Sequence, residues 1–220
     1  MSNAPQPAPA PANAGRNNPD KYSNAGTTPD PWEACAALEY GADRSFAWSV
    51  REQVINTPPE GRSRIEDRLL KALGLPTCTA AGRAFLCQML ALVGSEKSVP
   101  ILAALLKQAN AVELARYALE AIPGPEASAA LRAALADVSG PAKAGLIGSI
   151  AMRRDREATA ALTAIRDQAS EPALVREAAR RALEVHQRHG AIGHWHLPRS
   201  DVLIARAQSA NAAVTNGDEK

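Results

Sequence analysis

Large rings are scarce in this sequence: aromatic residues make up 4% of its 220 positions. A core of aromatic plugs is therefore excluded, and the 46% of apolar residues must build it mainly from Ala and Leu, which suits closely packed helices. Net charge is scarce as well. Twenty-five Lys and Arg against 23 Asp and Glu leave +2, too weak a field to imply nucleic acid or an anionic membrane as partner. Cys35, Cys78 and Cys87 are an odd number, without the close pairing of a zinc site and too few for a disulfide scaffold. That usage points to a reducing cytoplasm, or to a periplasmic or exported setting if a leader is missing from the chain as given.

Residues 1–30 hold no Leu, Ile, Val, Phe or Trp, so they lack the apolar run of a signal peptide or membrane anchor. The chain reads as soluble, with no membrane partner. Ordering this Pro/Ala/Asn-rich stretch would cost backbone entropy with almost nothing buried in return, and it is expected to be a disordered tail. Residues 211–220 are small and polar and are expected to fray. No Ser-His-Asp order, phosphate loop, glycine fingerprint or CxxC pair occurs, which removes the common routes to catalysis and leaves no catalytic residue to name.

What the sequence does have is a recurrence every 30 residues. Leu105, Leu135 and Ile165 form one column; Ala104, Ala134 and Ala164 a second; Ala91, Ala121 and Ala151 a third; Leu92, Ile122 and Met152 a fourth. Helix-start residues keep the same interval: Asn110, Gly140 and Ser170 precede one set of segments, and Ser95, Pro125 and Asp155 open a second set halfway between. Asn, Ser and Asp side chains can accept from the free N–H groups of a first turn, and Pro has no N–H to orphan there. Each repeat is therefore two helices. Between Ala127 and Val138, Leu131, Ala134, Leu135 and Val138 make one apolar stripe at helical spacing. The segment AVELARYALEAI from Ala111 carries a wider one through Leu114, Ala115, Ala118, Leu119, Ala121 and Ile122. Neither helix can bury its face alone, so the pairs must stack. Upstream, PWEACAALEY, RSFAWSVREQVI and GRSRIEDRLLKALG read as three further helices outside this register, the last with Ile65, Leu69, Ala72 and Leu73 in helical phase.

The stretch SEPALVREAARRALEVH from Ser170 resembles the first helix of a HEAT-type repeat, with a capping residue, Pro in the first turn, and Val175-Arg176 ahead of Leu183. GRAFLCQMLALVGSEKSVPILAALL and AVELARYALEAIPGPEASAALRAAL resemble the same family in its short bacterial form, grouped with phycobilisome-lyase HEAT-like repeats. The period is shorter than the roughly 40–47 residues of long HEAT and armadillo units, and Arg116 and Arg176 have Leu86 and Leu146 as counterparts. The resemblance implies an all-α fold, a right-handed α-solenoid of stacked antiparallel helix pairs. It divides the chain into a tail over 1–30, an amino-terminal helical cap or degenerate repeats over 31–78, HEAT-like repeats over 79–188, a loop and short helix over 189–210, and a tail over 211–220.

Three clusters invite chemistry. His186, His189, His194 and His196 all fall in HQRHGAIGHWH and can in principle ligate a transition metal through neutral imidazoles. That stretch contains no carboxylate or cysteine to complete a familiar set, so the preferred reading is a helix-end cap with His194-Trp195-His196 as a lid over the last repeat. Arg153, Arg154, Arg156, Arg180, Arg181 and Arg188 could form a phosphate-facing strip. Asp155, Glu157, Glu177 and Glu184 are interleaved with them, which suits surface ion pairs better. Cys78, at a helix start, could have a thiol pKa lowered by the helix dipole, whereas the plainer reading is a small residue near a cap. The expected function is a non-catalytic scaffold holding another protein, with no cofactor. Its recognition rows are Lys97, Glu126, Arg132 and Glu157 on second helices, or Glu113, Glu120, Lys143, Glu177 and Arg180 on first helices. The family association leaves a bilin lyase or isomerase as the alternative, and the histidines a metal- or haem-associated module.

Overall fold

The computed structural model describes residues 30–188, and these are all-helical, with ten α-helices and no strand among them. In chain order they are α1 (Pro31–Ala36), α2 (Ser45–Asn56), α3 (Arg62–Leu73), α4 (Ala80–Val93), α5 (Val99–Leu106), α6 (Val112–Ala121), α7 (Pro125–Ala134), α8 (Gly140–Met152), α9 (Thr159–Asp167) and α10 (Ala173–Arg188). Short 3-10 turns at Glu96–Ser98 and Arg156–Ala158 lead into α5 and α9. No helix among the described residues is long and apolar enough to cross a membrane. Residues 1–29 and 211–220 of the expected tails, the loop and short helix expected over 189–210, and with them His189, His194 and His196, lie outside the described residues.

Packing follows the sequence order. Helices α4 and α6, α6 and α8, and α8 and α10 are in contact, while α5 lies against α6 and α7, α7 against α6 and α8, and α9 against α10. One core runs from Trp32 to Leu183 without a break, so α1–α3 share it with the rest. The closest approach is at Gly82 in the first turn of α4, which lies against the carbonyls of Cys35 and Ala36 at the end of α1. Thr79 locks that junction. Its side chain accepts from the Gly82 N–H at 2.9 Å, its own N–H donates to the Ala36 carbonyl at 2.9 Å, and its hydroxyl donates to the Leu38 carbonyl.

The apolar columns hold unevenly. Leu105, Leu135 and Ile165 are all buried. In the second column Ala134 is buried whereas Ala104 and Ala164 are exposed, and in the fourth Leu92 is half-buried, Ile122 buried and Met152 exposed. The helices explain the drift. The first-helix starts lie at Ala80, Val112, Gly140 and Ala173, intervals that scatter about thirty, so one sequence column visits different faces. Capping also differs from expectation. Ser95 caps as expected, accepting from the Lys97 N–H at 3.3 Å, and Pro125 opens α7. Asn110 does not cap, because the residue before α6 is Ala111; Gly140 is itself the first residue of α8; and α10 starts three residues beyond Ser170. Asp155 makes no side-chain cap bond, its carboxylate being held by Arg132.

Candidate interaction surface

About half of the side-chain hydrogen bonds among the described residues reach across to an element some thirty positions away. Glu66, on the face of α3 read as apolar, is buried, and its carboxylate accepts from the Ser95 N–H at 2.8 Å and from the hydroxyls of Ser95 and Ser98. It thus places a carboxylate at the start of the 3-10 turn that leads into α5, where the free N–H groups favour it. Lys97 pairs with Asp67, Lys107 with Asp137 at 3.3 Å, and Lys143 with Glu171. Ser149 donates to Glu120 at 2.7 Å and accepts from Arg116 at 3.1 Å. Gly145 makes room for this, since a Cβ there would meet Arg116 Nε at 2.8 Å.

Arg153 is the most heavily committed side chain. Its guanidinium donates to the carbonyls of Leu119 (2.8 Å), Glu120 (3.0 Å), Ile122 (2.6 Å) and Gly124 (2.7 Å), and to Ser128 Oγ at 2.8 Å. The Leu119, Glu120 and Ile122 carbonyls are acceptors at the end of α6, where a cation complements the helix dipole, and Gly124 and Ser128 belong to the start of α7. Burial lowers the Arg153 pKa, against the opposing pull of Asp155 and Glu120.

These contacts redraw the expected site residues. The arginine strip does not present as one surface: Arg153 is spent on backbone carbonyls, and Arg156 donates to the His186 carbonyl at 3.0 Å. Arg180 pairs with Glu177 and Glu184, Arg181 with Glu177, and Arg188 lies 4.0 Å from Glu184. Four residues of the expected recognition rows, Glu120, Arg132, Lys143 and Glu177, are half-buried rather than exposed. The Lys143 side chain is 13% accessible in its pair with Glu171, and Arg132 is held between Asp155 and Glu157. Sequence distance hid both pairings, because the partners lie on other elements. The Cys78 thiol is not lowered but raised, first by burial and only partly offset by Arg83. It sits one position before the capping Thr79, whose side chain has already taken a first-turn N–H. Burial likewise pushes Cys35 up to about 11 and Cys87 up to about 12.

His186 is buried at the end of α10, with its Nδ1 3.3 Å from Thr159 Oγ1. Among the described residues no three His, Cys, Asp or Glu side chains are grouped to hold a metal. Burial lowers the His186 pKa, Arg156 adds to this, and Asp155 opposes it. The folded state therefore binds this proton less readily than the unfolded chain, so stability rises with pH through the histidine range. We expect the urea midpoint to fall between about pH 7.5 and about pH 5.5, and His186→Gln to flatten that fall; an unchanged slope in the variant would contradict the assignment.

Five large apolar side chains are exposed among the described residues: Tyr40, Trp48, Tyr117, Met152 and Leu174. Tyr117 on α6, Met152 on α8 and Leu174 on α10 are 55%, 53% and 56% exposed, on three helices that pack in succession. No family model, curated protein or solved structure matches this chain. The surface must therefore be read on its own chemistry. A Cβ built on Gly148, one turn before Met152, meets nothing within 4 Å. Met152, read in the sequence as one of an apolar column, is exposed here, whereas Tyr117 and Leu174 went unremarked because helical phase places them beside core positions. Isolated exposed apolar residues are ordinary; these three stand on helices that pack in succession.

Proposed function

We propose that this chain is a non-catalytic scaffold, a HEAT-like right-handed α-solenoid of antiparallel helix pairs that holds another protein along the row of α6, α8 and α10. The observation that carries this reading is the shared interval: apolar columns recur every 30 residues, and the cross-element pairs Lys97–Asp67, Lys107–Asp137 and Arg156–His186 join residues separated by the same 30. A regular stack of like units produces such a coincidence, because each unit meets its neighbour in the same register. Recognition in this reading rests on Tyr117, Met152 and Leu174, apolar anchors within a field of charges already paired.

The test uses the full chain as bait. A partner retained by the wild type should be lost by Tyr117→Asp combined with Met152→Asp, and kept by Lys71→Glu on the exposed side of α3. Helical content of all three should match. Retention of the partner by the double variant, or turnover of a small substrate by the purified chain, defeats the scaffold reading.

A further inference from the structure

Helix α8 stands between α6 and α10 and turns an uncharged side to solvent. Its one charged side chain, Lys143, is spent on Glu171. Ala144, Gly148 and Met152 follow at intervals of four and so share a side of the helix; the first is half-buried and the other two are exposed. Gly148 has no task inside the molecule. Gly82 admits the carbonyls of α1 and Gly145 admits Arg116, but a Cβ built on Gly148 meets nothing within 4 Å, although alanine suits a helix interior better. Open space over a helix glycine lets another backbone approach closely.

The flanks and the shape of this face suit a second copy of it. On α6, Glu113 and Glu120 share Arg116; on α10, Glu177 takes Arg180 and Arg181, and Glu184 takes Arg180 as well. With Arg176 that is four acids against four bases, so two such faces can meet without net repulsion. Rows at intervals of four are the ridges that interdigitate in the commonest helix crossing, at about −50°. In an antiparallel crossing at Gly148, the bulky Met152 of each copy falls on the small Ala144 of the other. Neighbouring helices lie about 9 Å apart and α8 is about 20 Å long, so two copies of the three-helix face bury on the order of 1,000 Å², the low end for a specific interface. Such a contact is reversible and of micromolar strength.

We infer that this chain pairs with a second copy of itself through α8, the two helices crossing antiparallel at Gly148 with Met152 of each on Ala144 of the other. The inference rests on the scaffold reading for the face formed by α6, α8 and α10, and it names the protein that the face holds. A chain that stays monomeric but loses a different partner in the Tyr117→Asp, Met152→Asp variant overturns the pairing and leaves that reading intact.

Sedimentation velocity of the full chain is the test. Between about 1 and about 200 µM the wild type should pass from a 23.1 kDa monomer to a species of about twice that mass. Gly148→Glu should raise the concentration needed by about tenfold or more, at unchanged helical content, since the space at 148 is open. The crossing point is read separately. In a chain whose half-buried Cys78 is replaced by Ala, Gly148→Cys should oxidise to a disulfide-linked dimer, because that bond needs Cα atoms within about 7 Å. Ala133→Cys, exposed on α7, should not. A chain monomeric throughout overturns the inference, as does a dimer that survives Gly148→Glu or links equally through position 133. Maleimide protection of the cysteine at 148 where the chain is monomeric also overturns it, since another part of the chain would then be the cover.

Discussion

Gly82→Ala should lower the thermal midpoint sharply, although alanine is the better helix former by about 1 kcal/mol. The reason is local and made of backbone. A Cβ at this position would lie 2.0 Å from the Ala36 oxygen, 2.6 Å from the Ala36 carbonyl carbon and 2.7 Å from the Cys35 oxygen. No rotamer relieves that overlap, so α1 must separate from α4. The separation strains the Thr79 hydrogen bonds to Ala36 and Leu38 and loosens Trp32, Cys35 and Ala36, all buried in the core. Overpacking of this kind, with its lost bonds, costs about 2–4 kcal/mol, which exceeds the propensity gain. Gly148 provides the opposite sign: nothing stands within 4 Å of its built Cβ, so Gly148→Ala should raise stability by up to about 1 kcal/mol. Urea midpoints of the two variants, measured side by side, decide the matter. Equal shifts in one direction would mean that the α1–α4 contact is not as close as described.

Arg153→Met should cost more, about 3–5 kcal/mol. Methionine keeps much of the apolar stem but removes every donor, leaving the carbonyls of Leu119, Glu120, Ile122 and Gly124 and the Ser128 hydroxyl without their shared partner. Those groups hold the end of α6 and the start of α7 to the end of α8, so the loss falls on three elements at once. Arg153→Lys should behave more like the methionine variant than like the wild type. An ammonium is a single point of charge, whereas the five bonds depend on the spread of a planar guanidinium. The check is equilibrium unfolding in urea with an unchanged slope. A lysine variant as stable as the wild type would show that charge at the helix end, and not the fork, is what matters.

The helices were legible because their signal is local. Leu131, Ala134 and Leu135 are buried and the three upstream segments are helical where apolar spacing placed them, though α7 ends at Ala134, short of Val138, since a helix needs only its own residues to reveal which face is apolar. Cap positions were less legible. Asn110, Gly140 and Ser170 have suitable chemistry, yet tertiary packing moved each helix start by one to three residues, as the starts at Val112, Gly140 and Ala173 record. The candidate surface was mostly hidden. Lys143 and Arg132 look solvated in sequence because Glu171 and Asp155 are 28 and 23 positions away. Glu66 was passed over among Ile65, Leu69, Ala72 and Leu73 because nothing nearby announced Ser95 and Ser98.

By itself, then, the order of residues determined the helices of the described residues, the thirty-residue interval and the burial of Leu105, Leu135 and Ile165. Those depend on periodicity, composition and the saturation of backbone bonds within each helix, all of which are short-range. Which charges are neutralised, which glycine admits a crossing backbone, and which apolar side chains are left facing water were decided only by the tertiary structure. An ion pair, a carbonyl clamp such as Arg153 or a contact such as Gly82 on Ala36 depends on atoms tens of residues apart, and their meeting is set by how far each helix is rotated and shifted against the next.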